Sequence, residues 1–62
     1  MVDPTCEAFL RLFPYLSSRI MSYRKLHRNT IKLNMRDRVT LVFRYESDDM
    51  WQLQTYEYYA NR

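Results

Sequence analysis

The residues of this chain with the greatest chemical reach are one histidine, one cysteine, a knot of acids and a long run of bases. His27 and Cys6 are single members of their types. Cys6 falls on an apolar stripe with Phe9, Leu10 and Phe13, where a thiol serves as a small core residue rather than a nucleophile. His27 has no nearby carboxylate to orient it as a general base, so it reads as a surface or capping histidine. Glu46, Asp48 and Asp49 crowd one turn, but without the spacing of a cation-binding loop. A single cysteine and a single histidine give no zinc set and no internal disulfide. Glycine is absent, which excludes the loops that cradle phosphates with backbone N–H groups. The expectation is therefore no catalytic residue, no metal and no cofactor: a binding protein rather than an enzyme.

The bases are more informative. From Arg19 to Arg44 there are eight Lys/Arg and one acid, Asp37, a local charge of +7 in a chain whose net charge is +3. Residues 1–18 carry −1 and residues 45–62 carry −3. A basic middle beside an acidic hairpin tip can steer an anionic partner. Arg24, Arg28, Lys32, Arg36, Arg38 and Arg44, with Tyr56, are the expected partner contacts. The bland alternative is a solvated basic surface with no ligand.

Three alternating runs must position these side chains. Residues 30–35, 39–45 and 50–59 alternate apolar with polar and are rich in β-branched and aromatic residues, the pattern of an antiparallel meander with one dry face. Pairing Met35 with Val39 leaves Arg36-Asp37-Arg38 as a loop and sets Leu33 beside Leu41 and Ile31 beside Phe43. Pairing Tyr45 with Asp49 would set Phe43 beside Trp51 and Leu41 beside Leu53. Without glycine for two-residue hairpins, longer connections are expected. The opposite face carries Lys32, Asn34, Thr40, Val42, Arg44, Gln52, Gln54 and Tyr56.

Before the meander, Asp3-Pro4 opens a helix as N-cap and first helical residue. Pro14 breaks or kinks it. Leu16, Ile20 and Tyr23 then continue a helical stripe toward Leu26 or His27, although Arg19 to Leu26 can also be read as extended. The expected architecture is α+β, a single domain over 1–62. Two N-terminal helices, within 4–27, pack on one face of a three-stranded antiparallel meander, within 30–59. The core should join Phe9, Leu10, Phe13, Leu16 and Ile20 to Ile31, Leu33, Leu41, Phe43, Trp51 and Leu53. Tyr58 and Tyr59 either cap that core or join an interface.

Sixty-two residues bury only about 60% of their unfolded surface, so a partner chain or second copy would supply useful extra burial. The open, Tyr-rich last strand is compatible with edge pairing into a homodimer. No apolar run approaches the ~20 residues of a membrane span, and the N-terminus lacks the basic and apolar regions of a secretory signal. Together with a free thiol, this leads to the expectation of a cytoplasmic protein without membrane partners.

The run Ile31-Lys-Leu-Asn-Met-Arg-Asp-Arg-Val-Thr-Leu-Val-Phe-Arg-Tyr-Glu-Ser-Asp-Asp, with the following strand and Tyr58-Tyr59, resembles the C-terminal sheet of the RelE/YoeB/HigB toxin superfamily over roughly residues 29–59. The resemblance implies a ribosome-dependent mRNA endonuclease, with Arg44 matching a strand arginine and Tyr58 and Tyr59 the terminal pair. A terminal histidine and a leading strand of that family have no counterpart here. Cys6-Glu7 and Leu10-Arg-Leu-Phe-Pro14 before a hairpin also resemble the uncharacterised YqiB-like family. The residues themselves favour a small non-enzymatic binding protein, of the kind encoded by phages or mobile elements. It would dock on a host protein with an acidic surface and inhibit or modulate it. The alternatives are the endonuclease and a plain binder of nucleic acid or the ribosome.

Overall fold

Asp3 caps the first helix as its residue type dictates: its carboxylate accepts the backbone N–H of Thr5 at 2.8 Å and of Cys6 at 3.4 Å. Pro4 follows at the first helical position, where its missing N–H costs nothing. The computed structural model describes residues 3–57. Helix α1 (Pro4–Leu12) buries Thr5, Cys6, Ala8 and Phe9. Pro14 ends it, and Phe13 leaves the helical conformation with φ −129° and ψ 65°. A 3-10 helix (Pro14–Arg19) continues the turn, and the chain then becomes extended.

The extended part has four strands: β1 (Ile20–His27), β2 (Thr30–Met35), β3 (Val39–Ser47) and β4 (Met50–Glu57). They form one antiparallel sheet in the order β1-β2-β3-β4. The expected two helices on a three-stranded meander are thereby corrected to one short helix on a four-stranded sheet. Residues 20–27, expected to be helical, are a strand. The physical reason is visible in its register. Ile20 faces Met35 and Ser22 faces Asn34, so Met21 is an extra residue; Lys25 faces Ile31 and His27 faces Thr30, so Leu26 is another. Two bulges in eight residues erase the period of two by which a strand is recognised. What remained was the spacing of Leu16, Ile20 and Tyr23, which imitates a helical face.

The inner pairing follows the sequence pattern: Ile31 lies opposite Phe43 and Leu33 opposite Leu41, with Arg36–Arg38 as the link. That link stands on Asp37 and Arg38, the positive-φ residues among those described, at φ 67° and 63°. The β3–β4 register differs from expectation by two residues. Tyr45 faces Trp51, Phe43 faces Leu53 and Leu41 faces Thr55. A shift of two keeps every side chain on its own face, so the dry face survives.

The shift arises at the hairpin. Ser47 faces Met50 across a two-residue turn, and Glu46 is bulged. The β1–β2 hairpin is built alike, with a turn at Arg28-Asn29 and a bulge at Leu26. These short turns were not expected without glycine. Neither carries a positive φ, so neither has the mirror-image turn whose twist matches the strands. A bulge just before each turn adds the twist that the turn lacks.

The core lies between α1 and one sheet face. Phe9, Ile31, Leu33 and Phe43 are fully buried, and Cys6, Ala8, Met35 and Leu41 nearly so. Phe9 meets Phe43 edge-on at 5.3 Å between ring centres, and Phe13 meets Phe43 at 6.0 Å and Trp51 at 5.1 Å. Full burial of each such ring contributes about 1.5–3 kcal/mol. Leu10, Phe13, Leu16, Ile20 and Leu53 pack at its margin, while Trp51, expected inside, is 39% exposed. It still lies on the same side as Phe43, with ring centres 6.2 Å apart.

Candidate functional site

Alternation along four strands, fixed by the buried positions, assigns the uncovered face. It presents Ser22, Arg24 and His27 from β1, Thr30, Lys32 and Asn34 from β2, Thr40, Val42 and Arg44 from β3, and Met50, Gln52, Gln54 and Tyr56 from β4. Three rows cross the sheet. One runs Arg24, Lys32, Val42, Gln54; a second runs Ser22, Asn34, Thr40, Tyr56; a third runs His27, Thr30, Arg44, Gln52. Asn34 Nδ2 donates to Ser22 Oγ at 3.0 Å, and the Tyr56 hydroxyl donates to Gln54 Oε1 at 2.9 Å. Thr40 is buried although no helix lies over it, because Asn34 and Tyr56 flank it in the central row.

Four of the seven expected contacts therefore share this face: Arg24, Lys32, Arg44 and Tyr56. Arg28 sits in the β1–β2 turn at one end of the sheet. Arg36 and Arg38 lie in the β2–β3 link at the other end. Ser22, His27 and Thr30 also belong to the face: Ser22 and His27 join it because β1 is a strand and not a helix, and Thr30 by alternation with Lys32 and Asn34.

The charges on the face are not equivalent. Arg44 is held by its neighbour: its Nε and Nη2 donate to Glu46 Oε2 at 3.3 and 3.1 Å. The bulged Glu46 also accepts from Asn29 Nδ2 at 3.0 Å, so one carboxylate ties two hairpins together. Arg24 and Lys32 are directly opposed on adjacent strands, and among the described residues neither forms an ion pair. Like charges in that position are destabilising. A shallow concavity of about 370 Å³ adjoins the face, lined by Arg44, Glu46, Asp49, Met50, Trp51 and Gln52.

Three further ion pairs lie away from the open face. Lys25 Nζ meets the Asp3 carboxylate at 3.3 Å and so pins β1 to the helix start. Burial works to raise the Asp3 pKa, but hydrogen bonds from Thr5, Lys25 and Cys6 outweigh it and hold the carboxyl below its ordinary value. At the acidic tip, Asp48 accepts from the Tyr45 hydroxyl at 2.5 Å and from Arg11 Nη2 at 2.6 Å. These bonds lower the Asp48 pKa, and the same carboxylate raises that of Tyr45. Arg11 and Asp48 are 37 residues apart, and no local pattern announces such a pair. Arg19 pairs with Asp37 at 2.9 Å.

The thiol of Cys6 is buried. Burial, aided by Asp3 and Glu7, raises its pKa, which suits a core residue and not a nucleophile. His27 is exposed at the end of β1. Among the described residues no three His, Cys, Asp or Glu side chains come together in a way that could hold a metal ion. No helix among them is long and apolar enough to cross a membrane. Tyr58 and Tyr59, the terminal pair of the toxin resemblance, lie outside the described residues.

No family model, no curated protein and no solved structure matches this chain.

Proposed function

We propose that this chain is a small binding protein that docks its uncovered sheet face on an acidic surface of a host protein and modulates that partner by covering it. The supporting observation is the opposed pair Arg24 and Lys32. Two like charges face each other across neighbouring strands with no anion of the chain beside them among the described residues. A sheet tuned for stability alone would place an acid or a neutral residue at one of these positions. An acidic partner turns the same pair into a source of attraction and of fast, salt-sensitive encounter.

Arg44, Tyr56 and the amides Asn34, Gln52 and Gln54 complete a surface suited to polar contacts. Arg28, Arg36 and Arg38 extend the positive field at the two ends of the sheet. A protein partner is favoured over a nucleic acid because the described face offers one large aromatic, Tyr56, with the His27 ring at its edge. Sequence-independent strand binding stacks successive bases on several. The ribonuclease reading is weaker still, since the Arg44 guanidinium already serves Glu46. Placement of the chain in the cytoplasm of a phage host belongs to the same proposal.

The test is capture from nuclease-treated host lysate on the immobilised chain. A single retained protein is expected, lost on the double change Arg24→Glu, Lys32→Glu and weakened less by Arg36→Glu, Arg38→Glu. Retention that vanishes with nuclease would replace this reading with nucleic-acid binding. Transcript cleavage on expression, abolished by Arg44→Ala, would replace it with the endonuclease.

A further inference from the structure

Among the described residues the sheet has two edge strands, β1 and β4, and the sequence treats them in opposite ways. Strand β1 carries Arg24, Lys25 and His27 and is bulged at Met21 and Leu26. Charged residues and bulges are the devices that keep an edge from pairing with another chain. Strand β4 is not bulged, and its one charge, Glu57, stands at its last residue. From Met50 to Tyr56 it reads Met-Trp-Gln-Leu-Gln-Thr-Tyr, without charge or proline. Its ladder to β3 is regular from Trp51 to Glu57, and the hairpin's extra residue, Glu46, lies on β3. Met50, Trp51 and Tyr56 remain 65%, 39% and 48% exposed.

We infer that β4 pairs antiparallel with β4 of a second copy, joining two sheets into one of eight strands. Neutrality selects the occupant. In a strand that meets its own reverse only the axial residue faces its own copy, every other residue faces its register partner, and like charges at facing positions repel. A foreign strand chosen by charge would call for charges on β4, and this edge has none before Glu57.

Symmetry also fixes the parity of the register. Directly opposed residues point to the same side, and a twofold axis through the sheet keeps both helical layers on one side. The axis must then pass through a residue rather than between two. Centring it on Leu53 uses the whole run from Met50 to Tyr56. Trp51 then faces Thr55 of the second copy and Leu53 faces its mate on the covered side. Gln52 faces Gln54 and Met50 faces Tyr56 on the open side; beyond this run Glu57 comes level with the turn residue Asp49 of the second copy, a like-charge pair that ends the ladder and weakens it.

A single strand from each copy makes a contact at the small end of specific interfaces, below about 1,200 Å². The dimer is therefore a concentration-dependent equilibrium. Its consequence for function rests on the proposed reading of the open face: two Arg24–Lys32 pairs would stand on the two wings of one continuous surface, giving bivalent attachment. The pairing itself does not depend on that reading.

Sedimentation velocity on the full chain over a concentration series tests it. The wild type should shift toward twice its monomer mass as concentration rises. Gln52→Glu with Gln54→Glu sets like charges against each other across the axis, and should leave a folded monomer throughout the series. Gln52→Glu with Gln54→Lys sets opposite charges there, and should restore the dimer at concentrations no higher than the wild type needs. Circular dichroism confirms that each variant keeps its sheet. A wild type that stays monomeric, or a doubly acidic variant that dimerises as well as the wild type, overturns the inference. Failure of the opposite-charge variant to recover overturns the Leu53-centred register. Lysate capture is read separately, so loss of partner binding in a chain that still dimerises counts against the open face and not against β4.

Discussion

The two faces of this sheet obey different rules, although they share the same backbone. On the covered face the central positions are decided by packing, while Tyr23, Lys25 and Trp51 at its margin stay exposed. Ile31, Leu33 and Phe43 are fully buried against Phe9, and the chain accepts bulges, tight turns and two left-handed residues to keep them there. On the open face no helix covers the side chains, and Arg24 opposes Lys32 with no described anion to relieve it. The comparison teaches that a small domain can concentrate its packing on one side of a sheet and tolerate an unfavourable charge pair on the other.

The sharpest way to break that comparison is in the core. Phe43→Ala or Phe9→Ala should cost about 3–5 kcal/mol, a large part of the stability available to a chain of this size. Urea titration should show either variant unfolded or nearly so without denaturant. A loss below 1 kcal/mol would mean that the helix does not anchor the covered face.

A smaller effect is expected at the β2–β3 link, which holds Leu33 and Leu41 on one side. Arg38 has φ 63°, a conformation that strains residues bearing a Cβ by roughly 1–2 kcal/mol. Glycine removes that strain but loses more entropy on folding. Arg38→Gly should therefore raise the unfolding midpoint, with a net gain of up to about 1 kcal/mol; a lower midpoint would contradict the assigned link conformation.

On the open face the expected change is smaller and of unusual sign. Arg24→Thr removes one of two opposed like charges and introduces a strand-favouring residue. It should stabilise by about 0.2–1 kcal/mol while weakening capture of the partner. Stabilisation without any loss of capture would separate the charge pair from function.

The smallest effect concerns the exposed contacts around Asp48. Asp48 and Asp3 both lie below the carboxylate value of 3.8 in the fold. Their contribution is present above that value and fades as pH falls through their lowered folded values. Tyr45 lies above 10.0, so its hydrogen bond to Asp48 fades as pH rises through its raised value. Trp51 fluorescence, which senses Phe13 of the helix end, should follow both limits. Arg11→Ala should blunt the acidic one with little change in stability at neutral pH, as expected of an exposed ion pair.

Much of the covered face was legible because alternation in residues 30–45 is clean and large apolar residues fix parity. The link Arg36–Arg38 and the pairs Ile31 with Phe43 and Leu33 with Leu41 follow from that alone. The β3–β4 register was not legible, because a shift of two leaves parity intact and only the bulge at Glu46 distinguishes the alternatives. β1 was hidden by its own bulges at Met21 and Leu26, which break the alternation on which its recognition depends. Of the candidate contacts, Lys32, Arg44 and Tyr56 could be placed on one face from sequence. Arg24 joins them only once β1 is a strand, and with it comes the opposed pair that the sequence conceals.

The most direct test measures stability and capture on one variant, Arg24→Glu, which sets an acid against Lys32 across the strands. The account predicts an unfolding midpoint equal to or above that of the wild type, together with loss of the nuclease-resistant partner. A lowered midpoint with capture intact would show that Arg24 serves the fold, and that the open face is not where the partner sits.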